Sequence, residues 1–154
     1  MGGPGIIDEK EHGETDNFQA INIKINDITY CSAENYYQCA KTTTKEEHEM
    51  VRNSGPGIFA WDAGSTVKLR ENWESDKVNE MYKGNKAKFD QNPDLAKLLT
   101  GSVSNVKFTC STPFWNYWNG LIMERIRAEI RKNGEEDLKV VYEIKELMDK
   151  YQKK

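Results

Sequence analysis

The segment YCSAENYYQCAK, residues 30–41, contains three side chains whose spacing could bring them together for chemistry. Glu34, Gln38 and Lys41 stand at positions i, i+4 and i+7, so a helix would align a carboxylate, an amide and an amine in one narrow stripe. A carboxylate can exchange a proton or stabilise a developing positive charge, and an amine of lowered pKa can act as a nucleophile. The stripe could also face water, which is the usual place for charged residues on a helix.

The same segment carries the signals of a helix that would hold this stripe in place. Ser32 is a favourable N-cap residue, and Ala33 with Glu34 suits the first helical turn. The apolar side of this helix would consist of Ala33, Tyr36, Tyr37 and Ala40. We therefore predict a helix that begins after Ser32 and packs its tyrosine side against the core.

The composition predicts one folded domain. The chain has 154 residues, of which 37% are hydrophobic and 31% charged, and four of them are tryptophans. This apolar content is enough for one core and argues against disorder. The net charge of −3 gives no sign of a general nucleic-acid-binding surface, although it leaves room for a local basic patch.

Cysteines, histidines and hydropathy argue against several classes of protein. Cys31, Cys39 and Cys110 show no C-x-x-C spacing, and His12 and His48 form no helical metal pair. We therefore expect reduced thiols, no bound metal and no cofactor. No apolar run approaches the length of a membrane span, and no signal-like apolar stretch stands at the N-terminus. We expect a cytoplasmic or nuclear protein that is not secreted and has no membrane partner.

Hydrophobic periodicity and turn signals predict a mainly helical α+β fold, a single compact domain of helices around a small antiparallel β-sheet. Residues 1–16 are rich in glycine and acidic residues and are predicted to form a flexible segment before a domain of residues 17–154. The predicted strands are residues 21–25, 28–30 and 106–110. The predicted helices are residues 33–41, 43–53, 73–91, 93–100 (with Leu95, Leu98 and Leu99 facing inward), 121–132 and 135–154. An aromatic loop is predicted at residues 111–120.

The order of six short blocks is more informative than any single motif. The chain lacks G-x-G-x-x-G, P-loop, G-x-S-x-G and H-E-x-x-H patterns. The blocks are NF at 17–18, SAENYYQCAK, VRNS, VKLRENW, KFDQNPDLAKLLTG and a tryptophan-rich segment before LIMERIR. In this order they resemble the NADAR family, also called YbiA-like, over about residues 17–127. One block departs from the family pattern, because CSTPFWNYWNG has no acidic residue and Trp115 is followed by Asn116 instead of glycine.

The resemblance implies an N-glycosidase that hydrolyses the bond between a ribose phosphate or ADP-ribose and a nitrogen base. We expect removal of ADP-ribose from guanine, in ADP-ribosylated DNA or a nucleotide, with phosphoribosylamino-pyrimidine intermediates of riboflavin synthesis as the alternative substrate. A non-catalytic module that binds ADP-ribose or a nucleotide is the rival class, and a structural helical adaptor is a third. The expected partner is the substrate, free or as ADP-ribosylated nucleic acid, and the expected state is a monomer.

The family resemblance implies a role for each residue that matches the family pattern. Glu34 would act as acid/base or charge stabiliser, and Lys41 as a nucleophile on C1 of an opened ribose or as a phosphate ligand. The substrate-binding candidates are Asn17, Tyr37, Gln38, Arg52, Arg70, Trp73, Trp115, Asn116 and Asn119.

Most binding candidates also have a structural interpretation. Arg52 and Arg70 could bind phosphate oxygens or could be ordinary surface charges. Trp73 could belong to the core or form a stacking wall for a base. Trp115 is expected to stack on a base at the pocket rim, since stacking contributes about 1–3 kcal/mol per base and packing alone hardly explains a loop tryptophan. Asn17 could contact a sugar or cap a turn.

Overall fold

The computed structural model describes residues 2–154, so Met1 of the predicted flexible segment lies outside the described residues. Within that range the chain forms seven α-helices and two separate two-stranded antiparallel sheets. The strands are β1 (Gly5–Ile7), β2 (Lys10–His12), β3 (Ile23–Ile25) and β4 (Ile28–Tyr30). The helices are α1 (Ala33–Ala40), α2 (Lys45–Arg52), α3 (Ile58–Gly64), α4 (Trp73–Gln91), α5 (Pro93–Thr100), α6 (Pro113–Arg131) and α7 (Gly134–Gln152). The prediction of a compact, mainly helical α+β fold is confirmed.

The β3–β4 hairpin leads the chain into α1. Ile23 pairs with Tyr30, as the alternating isoleucines predict, and both side chains are buried. Asn26 and Asp27 take positive φ angles of 53° and 64°. Two-residue hairpin turns require such angles, and asparagine and aspartate tolerate them better than most residues. The turn therefore fixes the register that brings the chain to Ser32.

Helix α1 lies at the centre of the fold. The Ser32 hydroxyl accepts a hydrogen bond from the backbone N of Asn35 at 3.0 Å, so the predicted N-cap is confirmed. The helix packs against α2, α3 and α4, and all of its residues from 33 to 39 are buried. A helix covered on these sides holds its polar stripe inside the protein.

The larger part of the core lies between α4, α6 and α7. Helix α4 contributes Val78, Met81 and Phe89 from the face that its apolar periodicity predicts. Helix α6 contributes Ile122 and Ile126, which are fully buried. None of the helices described is both long and apolar enough to cross a membrane.

Helix α5 begins at Pro93 and ends before Gly101, as predicted from the Asn92-Pro93 break. Leu99 is fully buried, whereas Leu98 keeps 56% of its surface exposed. The prediction that Leu98 faces inward is therefore wrong. Successive helical positions differ by about 100°, so this short helix covers the core with one edge only.

The N-terminal segment differs from the predicted loose chain. Residues 5–15 form the β1–β2 hairpin and one 3-10 turn, with Ile7 buried. The backbone N of Gly5 donates to Thr15 Oγ1 at 2.7 Å, which closes the segment on itself. The hairpin turn uses Asp8 and Glu9 at φ angles of 52° and 66°. Because glutamate is an uncommon choice for such a turn, the local sequence gives a weak hairpin signal.

The aromatic segment at residues 111–120 belongs mainly to α6, so the prediction of a loop there is wrong. The Thr112 hydroxyl accepts a hydrogen bond from the backbone N of Trp115, and Pro113 occupies the first helical turn. Both residues are typical of a helix start. The many aromatic residues in this segment favour the prediction of a loop over the helix start at Thr112-Pro113. Helix α6 begins eight positions before the predicted helix at 121.

Two other segments differ from the sequence predictions. Residues 106–110 do not form a regular strand, because Lys107 makes only an isolated bridge to Ile6. Helix α3 lies in a stretch for which no element is predicted. It begins after Gly57, whose φ of 61° favours glycine and where a Cβ would lie 2.5 Å from the Phe18 carbonyl oxygen. Gly57 therefore allows α3 to pack closely on the segment that follows Asn17.

Candidate active site

Glu34 is a fully buried carboxylate in the first turn of α1. Its backbone N donates to the Asn17 carbonyl oxygen at 3.0 Å, and Gln38 Nε2 donates to Glu34 Oε2 at 2.5 Å. A helix N-terminus favours negative charge, and the Gln38 amide stabilises a carboxylate that has been removed from water. The interpretation of Glu34 and Gln38 as a water-exposed face is therefore wrong.

Lys41 stands at the other end of the stripe, as the C-cap residue of α1. Burial lowers the pKa of its amine, and the negative charge of Glu34 opposes that change. A lowered pKa makes the neutral, nucleophilic amine more abundant near neutral pH. The backbone N of Arg70 donates to the Lys41 carbonyl oxygen at 2.9 Å and so fixes this end of the helix. Lys41 is therefore partly shielded from water, and its charged form is less favoured than that of an exposed lysine.

Three aromatic side chains from three helices meet beside this stripe. The Tyr37 ring centroid lies 5.1 Å from that of Trp73 and 5.5 Å from that of Trp115. All three side chains are buried in the core. Burial raises the pKa of the Tyr37 hydroxyl, and the charge of Glu34 adds to the rise, so this hydroxyl stays protonated. Trp73 is therefore a core residue, and Trp115 packs in the same core instead of standing in a loop.

Two of the candidate asparagines, Asn17 and Asn119, are buried. Asn17 Nδ2 donates to Met81 Sδ at 3.1 Å, while the Asn17 carbonyl holds the backbone of Glu34. Asn119 follows Trp115 by one turn of α6 and is 2% exposed. Its Oδ1 has no hydrogen-bond partner among residues 2–154. A buried amide oxygen without a partner costs free energy, which favours Asn119 as a residue that bonds a ligand.

Arg52 is paired with its own helix and lies away from Glu34. Its Nε and Nη2 atoms donate to the two carboxylate oxygens of Glu49 at 2.8 and 2.7 Å, and Nη1 donates to the Thr29 carbonyl at 3.2 Å. Its charge acts on Cys39, which packs in the smaller core cluster near β3 and β4. The structure therefore does not bring Arg52 to the stripe.

Arg70 lies beside Lys41 but is largely occupied. Its Nε donates to the Ala40 carbonyl at 2.7 Å, and its Nη1 donates to Asp76 Oδ2 at 2.8 Å. Its guanidinium carbon lies 5.2 Å from the Trp73 ring centroid. These contacts position the end of α1 and leave few N–H groups for a phosphate.

The structure brings most of the sequence-predicted candidates to one region, namely Asn17, Glu34, Tyr37, Gln38, Lys41, Arg70, Trp73 and Trp115. Asn116 has a local structural contact instead. Its Nδ2 donates to the Ser111 carbonyl at 3.1 Å, and its Oδ1 accepts from the Ser111 N at 3.0 Å. These two hydrogen bonds close the turn that precedes α6.

Gly64, the last residue of α3, is a site residue that sequence reasoning missed. A Cβ atom at this position would lie 2.0 Å from Gln38 Oε1. Only glycine therefore lets α3 approach the Glu34–Gln38 pair this closely. No local pattern marks Gly64, because the contact joins two segments that are distant in sequence.

Gly64→Ala is expected to displace the Gln38 amide and to lower kcat by about tenfold or more, because Glu34 loses its donor. The overpacking should also cost about 1–3 kcal/mol of unfolding free energy. Steady-state kinetics and denaturant unfolding measure the two effects. Gly13→Ala is the matched control, since a Cβ there meets no atom within 4 Å. Equal kcat in the two variants would contradict this role of Gly64.

Lys88 on α4 is a second residue that sequence reasoning missed. It is fully buried, and its Nζ donates to the Asp16 carbonyl at 3.1 Å. Burial lowers the pKa of its amine from 10.5 to about 8, while the carboxylates of Asp16 and Glu14 oppose the change. Lys88 thus fastens α4 to the residue that precedes Asn17. Lys88 begins the KFDQNPDLAKLLTG block that matches the family pattern, but its burial against Asp16 and Glu14 joins segments that are distant in sequence.

The unfolding free energy of the parent, relative to Lys88→Met, is expected to rise as the pH increases from about 8 to 10.5. Below this window Lys88 is charged in both states, and the folded state bears the full cost of burying it. Within the window the folded protein has released the proton but the unfolded chain still holds it. The gain should reach about 3 kcal/mol. Urea unfolding of both proteins at several pH values tests this, and a pH-independent difference would contradict it.

Comparison with known proteins identifies the family of this chain. Residues 8–135 match the family model described as the NADAR domain. The chain belongs to the NADAR domain family. The resemblance inferred from the six sequence blocks is thereby confirmed.

Relatives of this NADAR domain carry an enzyme name. The domain is 34% identical over 109 residues to proteins named N-glycosidase YbiA from Escherichia coli (strain K12) and Shigella boydii serotype 4 (strain Sb227). The match covers 68% of this chain and 68% of each relative. The NMR structure of E. coli YbiA is 28% identical with a TM-score of 0.65, over 78% of this chain and 76% of that one. Family and relatives support a generic N-glycosidase activity.

The side chains of the described NADAR domain also bear on metal binding. Across residues 2–154, no group of three or more His, Cys, Asp or Glu side chains is arranged to hold a metal ion. Cys31, Cys39 and Cys110 are free thiols.

Proposed function

We propose that this NADAR domain removes ADP-ribose from guanine by hydrolysing the N-glycosidic bond at C1 of the ribose. The observation that carries the proposal is the stripe on α1, where the buried Glu34 carboxylate and the partly buried Lys41 amine share one side of a helix. The named N-glycosidase relatives support cleavage of a carbon–nitrogen bond. The choice of guanine-linked ADP-ribose as substrate is the finer part of the proposal.

Cleavage of an N-glycoside makes three chemical demands. The departing base needs a proton, the sugar develops positive charge at C1, and a nucleophile must then take C1. Glu34 supplies the proton to the base, and its carboxylate then stabilises the charge at C1. The Gln38 amide orients Glu34 through the hydrogen bond to Oε2. Burial strengthens these electrostatic effects, because water no longer screens them.

Lys41 is assigned the attack on C1. As the C1–N bond breaks and the base leaves with the proton from Glu34, the neutral amine bonds to C1 and passes its own proton to the Glu34 carboxylate. The ring oxygen then leaves C1 and takes up that proton, which gives an imine between Lys41 and the opened sugar. Water hydrolyses the imine, releases the sugar aldehyde and restores the amine. The alternative role is electrostatic, in which a charged Lys41 holds a phosphate and water attacks C1. Only the covalent role forms a bond between lysine and sugar, so the two roles can be distinguished.

Borohydride added during turnover is expected to trap a sugar adduct on Lys41, which peptide mass spectrometry would locate. Lys41→Arg should lose about 100-fold or more in kcat although it keeps the positive charge, because a guanidinium is not a nucleophile. Lys68→Arg is the matched control, since Lys68 is exposed on the loop before α4. If nothing is trapped and Lys41→Arg stays active, Lys41 binds phosphate and water makes the attack.

Two alternatives rest on particular features of the chain. The enclosed setting of Glu34, with no exposed surface, would suit a smaller substrate such as a phosphoribosylamino-pyrimidine. The segment CSTPFWNYWNG, most of which forms the start of α6, lacks the acidic residue of the family pattern, and this favours a module that binds ADP-ribose without cleaving it. The intact pair of Glu34 and Lys41 favours the enzyme over this binding module.

One assay with two substrates distinguishes these functions. An ADP-ribosylated guanine oligonucleotide and a phosphoribosylamino-pyrimidine are offered in parallel, and released base and sugar phosphate are followed by mass. We expect kcat/KM to be higher for the oligonucleotide. A higher value for the pyrimidine would favour the metabolite-directed enzyme. Binding of ADP-ribose without release of either base would favour the binding module.

We also propose that the protein acts as a monomer in the cytoplasm or nucleus. The three free thiols suit a reducing compartment, where disulfides are rare. Light scattering across a range of concentrations tests the monomer. A constant mass of two chains would contradict it.

A further inference from the structure

A shallow cleft of about 460 Å³ lies between the segment after Asn17, helix α3 and the start of α6. Its apolar walls are Phe18, Ile58 and Trp61, and its remaining lining residues are Gly2, Cys110, Ser111 and Thr112. Ile58 and Trp61 keep 57% and 43% of their surface exposed. Two large apolar side chains of one helix thus remain accessible at the same opening.

Three connections link the elements that line the cleft to those that hold the candidate active site. Phe18 directly follows Asn17, whose carbonyl accepts the backbone N–H of Glu34. The backbone N of Gly57, just before α3, donates to Ser32 Oγ at 3.2 Å, and Ser32 is the N-cap of α1. At its other end α3 touches Gln38 through Gly64.

The third connection runs through α6. Thr112 lines the cleft and caps α6, and the Trp115 that it caps packs edge-to-face on Tyr37. The cleft and Glu34 therefore share the same supporting elements.

The lining chemistry indicates which end of a ligand would fit. No lining residue is charged, so the cleft is poorly suited to a phosphate. The cleft offers one indole ring together with two other apolar side chains, which suits the face of a planar heterocycle. The Ser111 hydroxyl is buried and has no hydrogen-bond partner among residues 2–154. Rotation about one bond could turn this hydroxyl toward the polar edge of such a ring.

We propose that the Phe18–Ile58–Trp61 cleft binds the leaving base of the substrate, with the heterocycle stacked on Trp61. This inference rests on the proposed function, because it requires a base joined to the sugar carbon held at Glu34. Trp61 is a specificity residue in this arrangement and takes no part in bond cleavage. A bound base would cover the exposed indole ring of Trp61.

Trp61→Ala is the test, and Phe59→Ala is its matched control. Phe59 lies on the same helix and is 58% exposed, but it does not line the cleft. We expect Trp61→Ala to raise KM for the ADP-ribosylated guanine oligonucleotide by about tenfold or more, with little change in kcat. Trp61→Phe should restore most of the affinity, because it keeps an aromatic face. Phe59→Ala should behave like the parent.

Binding of probes separates this proposal from the proposed function. Trp61→Ala should weaken binding of guanosine about tenfold and leave binding of ribose 5-phosphate, which has no base, unchanged. Loss of guanosine affinity in a protein that cleaves neither substrate would support the cleft while contradicting the proposed function. Normal KM and guanosine affinity in an active Trp61→Ala protein would overturn the cleft alone. If the parent is a dimer and Trp61→Ala is a monomer that still binds guanosine normally, the cleft is a protein interface. This result would also overturn the proposal that the cleft binds the base.

Discussion

Glu34→Gln is expected to lower kcat by about 100-fold or more while the protein stays folded. The substitution removes the charge and the exchangeable proton but keeps nearly the same shape in a fully buried site. The Gln38 amide can keep one hydrogen bond to the new side chain, because either amide can turn its oxygen toward the other. Steady-state kinetics together with thermal unfolding separate the loss of chemistry from a loss of structure.

Glu46→Gln is the matched control for Glu34→Gln. Glu46 occupies the first turn of α2, as Glu34 occupies the first turn of α1, but its side chain is exposed. We expect Glu46→Gln to leave both kcat and the melting temperature close to those of the parent. If Glu34→Gln kept activity within a few-fold of the parent at an unchanged melting temperature, Glu34 would not be the catalytic acid.

Trp115→Ala is expected to destabilise the protein by about 3–5 kcal/mol, a large part of the stability of a domain this size. The indole is 7% exposed, and its ring packs edge-to-face on Tyr37 and Phe114 at centroid distances of 5.5 and 5.0 Å. Truncation would leave a cavity beneath α1, at the aromatic group that supports Glu34. Urea unfolding measures the loss.

Tyr117→Ala is the matched control for Trp115→Ala, because it truncates an exposed aromatic side chain on the same helix. Tyr117 lies on the same helix and is 54% exposed, so its truncation should cost much less. A Trp115→Ala protein that unfolded within about 1 kcal/mol of the parent, yet bound substrate far more weakly, would contradict this account. It would restore Trp115 to the pocket rim that the sequence predicts.

Short-range signals explain the elements that were predicted well. The Ser32 cap, the Asn26-Asp27 turn and the Asn92-Pro93 break each act within a few residues. The local structure that each of these signals produces depends little on the rest of the fold. The helical spacing of Glu34, Gln38 and Lys41 is local in the same sense, so the central stripe could be inferred before the fold was known.

The remaining site features depend on contacts between distant segments. Arg52 resembles a phosphate ligand in sequence, but Glu49 one turn away takes both of its forked donors. Gly64 matters only because α3 packs on Gln38, and the contact of Lys88 with the Asp16 carbonyl joins residues 72 positions apart. Trp115 was assigned to a loop because its aromatic neighbours outweighed the Thr112-Pro113 helix start. Local patterns do not encode these tertiary pairings.

A single-turnover experiment in ¹⁸O-labelled water tests the central claim most directly. The protein, in excess over an ADP-ribosylated guanine oligonucleotide or a phosphoribosylamino-pyrimidine, is quenched at intervals, and the products are weighed by mass spectrometry. We predict an unlabelled oligonucleotide or pyrimidine, and an ADP-ribose or ribose phosphate that carries the label, formed by the parent and by Glu46→Gln but not by Glu34→Gln. Recovery of both substrates uncleaved, label in the base, or equal cleavage by Glu34→Gln would contradict it.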